Sequence, residues 1–411
     1  MNILLIDFAL PDSIFSGKTV RLKNIYGRLA KDHSIVFLRT SMVGEENESS
    51  TLDRWAQNVF QEVLRLPYGA SSTLAGRLRN LLMIKPWFEI SKRYSGELPQ
   101  VKRFIKELLV KYEIDLVINF ANEAAQFGEA LKGIIPWIQD LGDSMVMQHT
   151  RQFKKAVSIR EKLWLATYIL REKSFEQEMI RKAQATIFVS ADDAKLYKDL
   201  GFVEIIPNGV DTDYFSRALV TEYVDDSQYV VFTGHMNFKP NIDAAIYFTE
   251  KILPLVRKQI PNLKFKIAGA DPTDKVLRLR NIVGVEVTGA VPDLRPYLAG
   301  ATAFVCPMRM GSGIKNKLLE AMAMEVPIVA NALAAKGILN IPEGIVFFAE
   351  TPDFFAQALV RLLLNAASAK EMAKMGRNFV VQNYSWGLTI QKYQRLFEKS
   401  LSSKGYVANK V

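Results

Sequence analysis

Short apolar runs alternate with helix-length segments along the whole chain, and this alternation constrains the fold more than any other feature of the sequence. In the first half the apolar runs lie at 3–8, 34–38, 115–119, 135–141 and 185–190. Each run is the length of a strand, and the residues between consecutive runs are long enough for helices. Continuous apolar strands that alternate with helices predict a parallel sheet covered on both faces.

A second series of the same kind follows a turn. Pro-Asn-Gly-Val-Asp at 207–211 contains an Asn-Gly pair, which readily takes positive φ, and residues 212–227 are irregular and acidic. We therefore predict a domain boundary near 210–227. The strands predicted beyond it are 229–233, 264–268, 285–288, 303–306, 327–330 and 345–349. Two further segments have the apolar period of helices, 18–31 and 386–399.

Length and composition favour two domains in a reducing compartment. A chain of 411 residues is too long for one compact core. One cysteine, Cys306, cannot form an intramolecular disulfide, and with three histidines the Cys/His metal sites are excluded. The N-terminal apolar run has no basic region before it and is too short for a signal peptide or a membrane span. We expect a cytoplasmic protein.

The net charge of +10 and the sequence pI of about 9.4 favour anionic partners. No RRM, zinc-finger or KH pattern occurs, so a nucleic acid is not an expected partner. Residues 74–94 alternate basic and apolar side chains and then present Trp87 and Phe88. Two interpretations stay open for this stretch: a surface helix packed on its own domain, or a segment that lies on the anionic inner face of a membrane.

The segment 309–323 carries the strongest sign of chemistry. It follows the apolar run 303–306, turns through two glycines and continues as a helix. Free backbone N–H groups at a helix start bind phosphate oxygens, and Arg309, Lys315 and Lys317 surround that start. Glu320, about one turn beyond Lys317, could accept hydrogen bonds from a ribose diol. Spacing alone leaves a second interpretation open, a plain loop–helix unit in which Lys317 and Glu320 form a surface pair.

Four motifs give the sequence a resemblance that spans nearly the whole chain. They are Pro-Asn-Gly-Val-Asp at 207–211, Phe-Thr-Gly-His-Met-Asn-Phe-Lys-Pro-Asn-Ile-Asp-Ala at 232–244, Val-Thr-Gly-Ala-Val-Pro-Asp-Leu-Arg-Pro-Tyr-Leu at 287–298, and the Glu-Ala-Met-Ala helix from Glu320. Together they resemble the retaining GT-B glycosyltransferases of the large family 4, closest to a bacterial subgroup of exopolysaccharide systems.

The resemblance implies an α/β fold of two Rossmann-like, doubly wound domains that face a central cleft. The N-terminal, acceptor-side domain is expected at 1–210 and the nucleotide-sugar domain at 211–385. Residues 386–411 are expected to form a helix that crosses back to the N-terminal domain, followed by a polar tail.

The resemblance also assigns roles by position. Lys317, Lys315 and Arg309 would neutralise the diphosphate and so act in catalysis. Glu320 would hold the ribose, and the 288–298 stretch with Val291 would contact the base through its backbone. The remaining donor-binding positions are Ser312, Gly313, Ile314, His235, Lys239, Gly17, Lys18 and Arg21. Asp140, Asp143 and Asn119 follow or end strands of the N-terminal domain and are candidates for contact with the donor sugar or the acceptor.

Three departures from the family pattern bear on the donor. Ser312 stands where the family's first Glu contacts the sugar, and His235 replaces an Arg, with Lys239 as a nearby cation. Gly17 is the single glycine of a loop where many relatives have two. Two of the candidate residues have plainer alternatives: His235 can be a structural histidine, and Asp143 can cap the helix that follows it.

We therefore expect a metal-independent, retaining hexosyltransferase without a cofactor. It would move a sugar from a nucleotide diphosphate sugar, with UDP favoured over GDP, to a saccharide or lipid-linked acceptor in bacterial surface glycan synthesis. An anionic membrane surface is the further expected partner, with peripheral attachment to the inner face of the cytoplasmic membrane. The alternative is a non-catalytic nucleotide-binding subunit of a polysaccharide assembly complex.

Overall fold

The computed structural model describes residues 1–8, 17–40, 51–66, 98–131, 133–222, 227–311 and 314–402. The basic stretch 74–94 and the positions Ser312 and Gly313 lie outside the described residues. Contacts between residues divide the chain into two compact units. Unit 1 comprises Met1–Pro207 and Ile390–Val411, and unit 2 comprises Asn208–Thr389.

Unit 1 is built on a parallel sheet in the order β3-β2-β1-β4-β5-β6-β7. The strands are β1 (Asn2–Phe8), β2 (Ser34–Thr40), β3 (Glu62–Arg65), β4 (Leu116–Phe120), β5 (Trp137–Gly142), β6 (Ala185–Phe188) and β7 (Val203–Ile205). The four residues Ile3 to Ile6 of β1 are fully buried, because the central strand of a parallel sheet is covered on both faces. Parallel pairing confirms the predicted fold class for this unit.

The described helices of unit 1 lie between these strands in the chain. They are α1 (Gly17–Arg21), α2 (Gly27–Leu29), α3 (Thr51–Val59), α4 (Leu98–Lys111), α5 (Gly128–Leu131), α6 (Met145–Lys155), α7 (Ile159–Lys182) and α8 (Ala191–Lys195). A 3-10 turn covers Asn122–Phe127.

The predicted helix 18–31 is interrupted. A π-helical turn, Leu22–Tyr26, joins α1 to α2. A turn bonded from residue i to i+5 brings residues five positions apart to one side of the helix. Arg21 and Tyr26 therefore point toward the same neighbour, Asp140 of β5.

Unit 2 is built on a second parallel sheet, in the order β10-β9-β8-β11-β12-β13. Its strands are β8 (Tyr229–Thr233), β9 (Lys264–Ala268), β10 (Val285–Gly289), β11 (Ala303–Cys306), β12 (Ile328–Ala330) and β13 (Phe347–Phe348). The five residues of β8 and the four of β11 are all buried. The second half of the chain thus repeats the architecture of the first, as the restart of the sequence pattern predicted.

The helices of unit 2 complete its core. They are α9 (Lys239–Tyr247), α10 (Leu253–Arg257), α11 (Asp274–Leu277), α12 (Arg295–Ala299), α13 (Asn316–Ala323), α14 (Ala332–Ala335), α15 (Pro352–Leu364) and α16 (Ala366–Tyr384). A π-helical turn, Phe248–Ile252, joins α9 to α10, and 3-10 turns cover Arg217–Leu219 and Arg278–Asn281.

The last helix, α17 (Trp386–Ser402), belongs to both units in sequence. Its first residues to Thr389 fall in unit 2, and from Ile390 the chain is again part of unit 1. The entry and exit of unit 2 are paired, since Val210 forms a parallel bridge with Ser385 and its N–H donates to the carbonyl of Tyr384 at 2.7 Å. Unit 2 is therefore an insertion into unit 1, closed by a bridge at its own base.

Candidate functional site

The order of the strands in unit 2 fixes where a ligand can enter. The chain runs from β8 outward to β9 and β10, and then restarts on the other side of β8 with β11. In open parallel sheets ligands bind outside the carboxyl ends of the strands, at the point where the strand order reverses. In unit 2 that point lies between the ends of β8 and β11, where α9 and α13 begin.

Lys317, in the first turn of α13, reaches across this point. Its Nζ donates to Oδ1 of Asn241 on α9 at 2.7 Å and lies 4.1 Å from the ring centroid of Phe232, the fourth residue of β8. Burial lowers the pKa of this ammonium group to about 8. The amide oxygen and the aromatic ring are both uncharged, so they do not neutralise the ammonium group. Its positive charge is therefore available to an anion.

The loop after β8 comes close to this lysine because it carries a glycine. A Cβ added at Gly234, whose φ is +154°, would lie 2.7 Å from Nζ of Lys317 and 2.7 Å from Nδ2 of Asn241. The next strand end is equally tight, since a Cβ at Gly269 would lie 1.8 Å from the carbonyl oxygen of Gly234. The backbone of Gly234 therefore covers the ammonium group on one side without a side chain, which allows close approach.

Lys315 adds a second cation at the same helix start. It is the N-cap residue of α13, and its side chain is buried beside Gly311. Burial raises the pKa of the Cys306 thiol to about 11, and the nearby charges of Lys317 and Lys315 oppose that rise. Both lysines thus lie close to the end of β11. Their charges add to the positive end of the α13 dipole and favour an anion there.

Glu320 occupies the next turn of α13. It is half-buried, and burial raises the pKa of its carboxyl group to about 7. The hydrogen bond of Lys317 goes to Asn241 and not to this carboxylate. The alternative of a solvated surface pair between Lys317 and Glu320 is therefore not what the structure shows.

Arg309 follows β11 but is already paired. Its Nε and Nη2 donate to the two carboxylate oxygens of Asp243 at 3.0 and 2.6 Å, and its guanidinium lies 4.1 Å from the ring centroid of Tyr247. Half of the Arg309 side chain is exposed. Its contact with a diphosphate stays a prediction, and any such contact must compete with Asp243.

The loop after β8 also carries His235, which two neighbours hold. Nε2 of His235 lies 3.0 Å from Oδ2 of Asp271, and Nδ1 lies 2.5 Å from Oδ1 of Asn237. Lys239 begins α9 and is exposed. These contacts support the plainer alternative of a structural histidine.

The two remaining described donor positions of unit 2 are apolar. Val291 lies half-buried in the segment between β10 and α12, and half-buried Ile314 packs against the core of unit 2 just before α13. Next to Val291 in sequence, Asp293 binds Arg295 and accepts a 3.3 Å hydrogen bond from Tyr214. The segment is therefore held in shape by its own polar contacts.

In unit 1 the structure corrects the role predicted for Arg21 and Asp140. Both are buried, and Nη2 of Arg21 donates to Oδ1 of Asp140 at 3.1 Å. The other carboxylate oxygen accepts from the hydroxyls of Tyr26 at 2.7 Å and Tyr393 at 2.6 Å. Because both oxygens of Asp140 are occupied and closed to solvent, its predicted contact with a sugar is replaced by a structural role.

Two more positions of unit 1 were predicted to contact an acceptor. Asn119 is completely buried between Ile6 and Gln139 of the adjacent strands, and its contact with an acceptor stays a prediction. Asp143 is exposed, but the helix after it is capped by Ser144, whose hydroxyl accepts from the N–H of Met147 at 3.3 Å. The alternative of Asp143 as the N-cap is therefore wrong, and its contact with an acceptor stays a prediction.

The first loop of unit 1 ends at α1. Gly17 is the first residue of that helix, and Nζ of Lys18 lies 2.6 Å from Oδ1 of the buried Asp7 at the end of β1. Lys18 also lies 5.9 Å from the ring centroid of Phe120 at the end of β4. The cation stands at the strand reversal of unit 1, between β1 and β4, and its charge is shared with Asp7.

Three residues that matter to these clusters were not singled out from the sequence. Asn241 orients Lys317, Asp243 binds Arg309, and the hydroxyl of Tyr393 closes the Asp140 network. Asn241 and Asp243 lie inside the 232–244 motif, six and eight residues after His235, and their place in that motif was the available signal.

Metal ligands and membrane-spanning helices were also considered for the part of the chain that the structure describes. In the ranges given above, no group of three or more His, Cys, Asp and Glu side chains is placed to hold a metal ion. Within the same ranges no helix combines the length and the apolar character that a membrane crossing needs.

Known proteins resemble this chain in both sequence and fold. Residues 227–365 match the family described as "Glycosyl transferases group 1". An uncharacterized 44.6 kDa protein in the cps region of Klebsiella pneumoniae is 26% identical over 164 residues, which are 38% of this chain and 42% of that protein. The chain thus aligns with less than half the length of this relative.

Solved structures match over almost the whole chain. A glycosyltransferase from Rickettsia africae superimposes with a TM-score of 0.68 at 15% identity, over 98% of this chain and 99% of that one. Anabaena HepE, solved in complex with UDP, gives a TM-score of 0.65 at 13% identity, over 97% and 100%. The two parallel-sheet units have the GT-B fold. The sequence match to the group 1 glycosyl transferases is confined to residues 227–365, and the likeness to these solved structures shows the fold.

Proposed function

We propose that this chain is a glycosyltransferase that takes a sugar from a nucleotide diphosphate sugar held by unit 2. The observation that carries the proposal is Lys317, a largely desolvated cation fixed by Asn241 at the strand reversal, under a loop of bare backbone. The match of residues 227–365 to group 1 glycosyl transferases covers this site. UDP is the favoured nucleotide, and the complex of the structurally similar HepE with UDP supports it.

The residues of unit 2 suggest how they would act on such a donor. Lys317 and Lys315, with the N-terminus of α13, would hold the diphosphate and stabilise the charge that grows on the leaving nucleoside diphosphate. Glu320, one turn further along α13, would accept hydrogen bonds from the ribose hydroxyls. Because these cations can carry the diphosphate charge, we propose transfer without a metal or a cofactor.

The finer assignments are also proposals. We infer a retaining hexosyltransferase of family 4 type, in which the acceptor hydroxyl attacks on the face of the leaving group and no side-chain nucleophile is needed. We place it in bacterial surface glycan synthesis, with a saccharide or lipid-linked acceptor and a cytoplasmic location. The relative from the Klebsiella cps region supports the surface-glycan role.

The first test is binding. Thermal unfolding is followed without metal in the presence of UDP, GDP, ADP, CMP and dTDP, for wild type, Glu320→Ala and Lys317→Ala. A ligand at a hundred times its Kd stabilises the folded chain by about 2.7 kcal/mol. We expect one diphosphate to stabilise wild type and neither variant. The matched controls are Glu343→Ala and Lys370→Ala, two exposed positions of unit 2 that should respond like wild type.

A second test separates transfer from binding. Turnover of the matching nucleotide sugar, with and without added acceptor, is measured for the same proteins. Ser312 in place of the family's first Glu favours one competing function, a non-catalytic nucleotide-binding subunit. Nucleotide binding without any turnover would establish that subunit, and a lack of stabilisation by any nucleotide would refute the proposal.

A further inference from the structure

The helical pair α6–α7 of unit 1 presents large apolar side chains to solvent. Just before α7, Val157 is 95% exposed, and in its first turns Ile159 is 77% and Leu163 66% exposed. Further along the same helix Trp164 is 53% exposed and Leu170 70%. Single exposed apolar residues are normal on protein surfaces, whereas a group of five within fourteen residues of sequence calls for a partner.

The spacing puts three of these side chains on one face. Each residue of an α-helix advances by about 100°, so Ile159, Leu163 and Leu170 fall within an arc of about 40°. The buried residues of α7, among them Leu165 and Met179, point to roughly the opposite side and pack into unit 1. We call the outward line of Ile159, Leu163 and Leu170 the α7 stripe. The helix has two apolar faces, and the α7 stripe is the one without a partner among the described residues.

Positive charge surrounds the stripe. Residues 154–173 contain six lysines and arginines and two glutamates, so their net charge is 6 − 2 = +4. Lys162 and Lys173 are exposed on the flank of the stripe, and Lys154 and Arg160 are exposed near its start. Long basic side chains can lay their stems on an apolar layer while their charged ends reach anionic groups.

An aromatic pair lies on another side of α7, about 120–160° around the helix from the centre of the stripe. The rings of Trp164 and Tyr168 lie 4.3 Å apart, and Tyr168 also contacts His149 of α6 edge-to-face at 5.6 Å. The pair anchors α7 to α6 on the side away from the stripe. The stripe is therefore left outward on a helix that α6 braces from behind.

We propose that α7, braced by α6, docks on the surface of an anionic membrane, with the α7 stripe in the acyl boundary and the basic residues at the headgroups. A second copy of the chain fits the surface less well, because a two-fold contact would bring equal positive charges together. Anionic headgroups, in contrast, favour each basic residue near the surface. A link between this docking and a lipid-linked acceptor rests on the proposed function, whereas the docking itself does not.

The experiment is flotation of the full chain with vesicles of phosphatidylcholine, alone or mixed with phosphatidylglycerol. We expect binding to the mixed vesicles, weakening at high salt, and about a tenfold loss of affinity in Leu163→Glu. The matched control is Val110→Glu, at an exposed valine of α4 in the same unit, which should bind like wild type. A second variant, Arg160→Glu with Lys162→Glu, keeps the stripe and should lose only the preference for anionic lipid.

Several results would overturn docking. They are equal binding of Leu163→Glu and wild type, an equal loss in Val110→Glu, no preference for anionic vesicles, and no vesicle binding by wild type. Sedimentation without lipid provides the remaining check, since a dimer that Leu163→Glu dissociates would assign the stripe to a second copy. Thermal stabilisation of Leu163→Glu by UDP shows, independently of vesicle binding, whether the variant is folded and whether its unit 2 site is intact. Docking and the proposed function can therefore fail independently.

Discussion

At the scale of single residues, Lys317 shows how an ordinary lysine becomes a binding group. The sequence places it one residue inside a helix start, next to two other cations, and that position alone predicted an anion site. What the sequence could not give is the partner. Asn241 is 76 positions away, and the two meet only because β8 and β11 are neighbours in the sheet.

The pKa of Lys317 has a consequence for nucleotide affinity. Its value of about 8 in the free chain means that the ammonium group begins to lose its proton just above neutral pH. A bound diphosphate favours the charged form, so binding above pH 8 must include proton uptake. The Kd for UDP should therefore rise roughly tenfold between pH 7.5 and pH 9, where each pKa unit corresponds to a tenfold change.

Calorimetric titration at several pH values checks this, with buffers of different ionisation enthalpy to count protons. Lys317→Ala should bind more weakly at pH 7.5 and lose most of the dependence above pH 8. Lys370→Ala, at an exposed lysine of the same unit, should keep the wild-type profile. The same steep profile in Lys317→Ala would assign the proton to another group and remove the argument from this lysine.

At the scale of elements, buried strands were predicted more accurately than edge strands. The strands β8, β9 and β11 have the predicted bounds, since an interior strand of a parallel sheet needs a continuous apolar run. The strands β3 and β7 were missed, and β13 is shorter than the predicted 345–349. All three lie at sheet edges, where one side is open and two to four partly exposed residues suffice.

The polar network under α17 was also beyond the sequence pattern. The apolar period of 386–399 predicted the helix and the inward face of Tyr393, but not that its hydroxyl reaches a carboxylate 253 positions away. The π-helical turn is equally invisible to a search for a 3.6-residue period, and it brings Arg21 and Tyr26 to that carboxylate together. Sites of this kind depend on tertiary geometry.

Removal of Asp140 should expose what this network contributes to stability. Asp140→Ala leaves Arg21 buried without its counter-charge, and we expect a loss of about 3–5 kcal/mol in the free energy of unfolding. Tyr393→Phe removes the hydrogen bond that the hydroxyl donates to Asp140 and the one that it accepts from Arg21, and it should cost about 2 kcal/mol. Urea denaturation of the full chain, followed through the unfolding of unit 1, measures the loss of stability in each variant. Retained UDP binding in Tyr393→Phe would fit a structural role, whereas lost binding without lost stability would return Asp140 and its partners to the ligand site.

At the scale of the whole molecule, the chain consists of one unit inserted into another. The pairing of Val210 with Ser385 closes unit 2 at its base, and α17 returns the chain to unit 1. The restart of the strand–helix pattern is visible in the sequence, because each unit has its own sheet of apolar strands. Each unit also has its own buried apolar cluster, so each can have its own unfolding transition.

Scanning calorimetry with UDP tests this independence. Chains with several domains depart from two-state unfolding, and a ligand stabilises only the part that holds its site. We expect two transitions in the free chain. UDP at a hundred times its Kd should raise the transition of unit 2 by roughly 5–10 °C and leave the other in place, given about 2–4 °C per kcal/mol for units of this size. Tyr393→Phe should lower only the transition that UDP leaves in place, and this identifies that transition as the unfolding of unit 1. A single transition that UDP and Tyr393→Phe shift together would mean that the two units unfold as one, and it would overturn their independence.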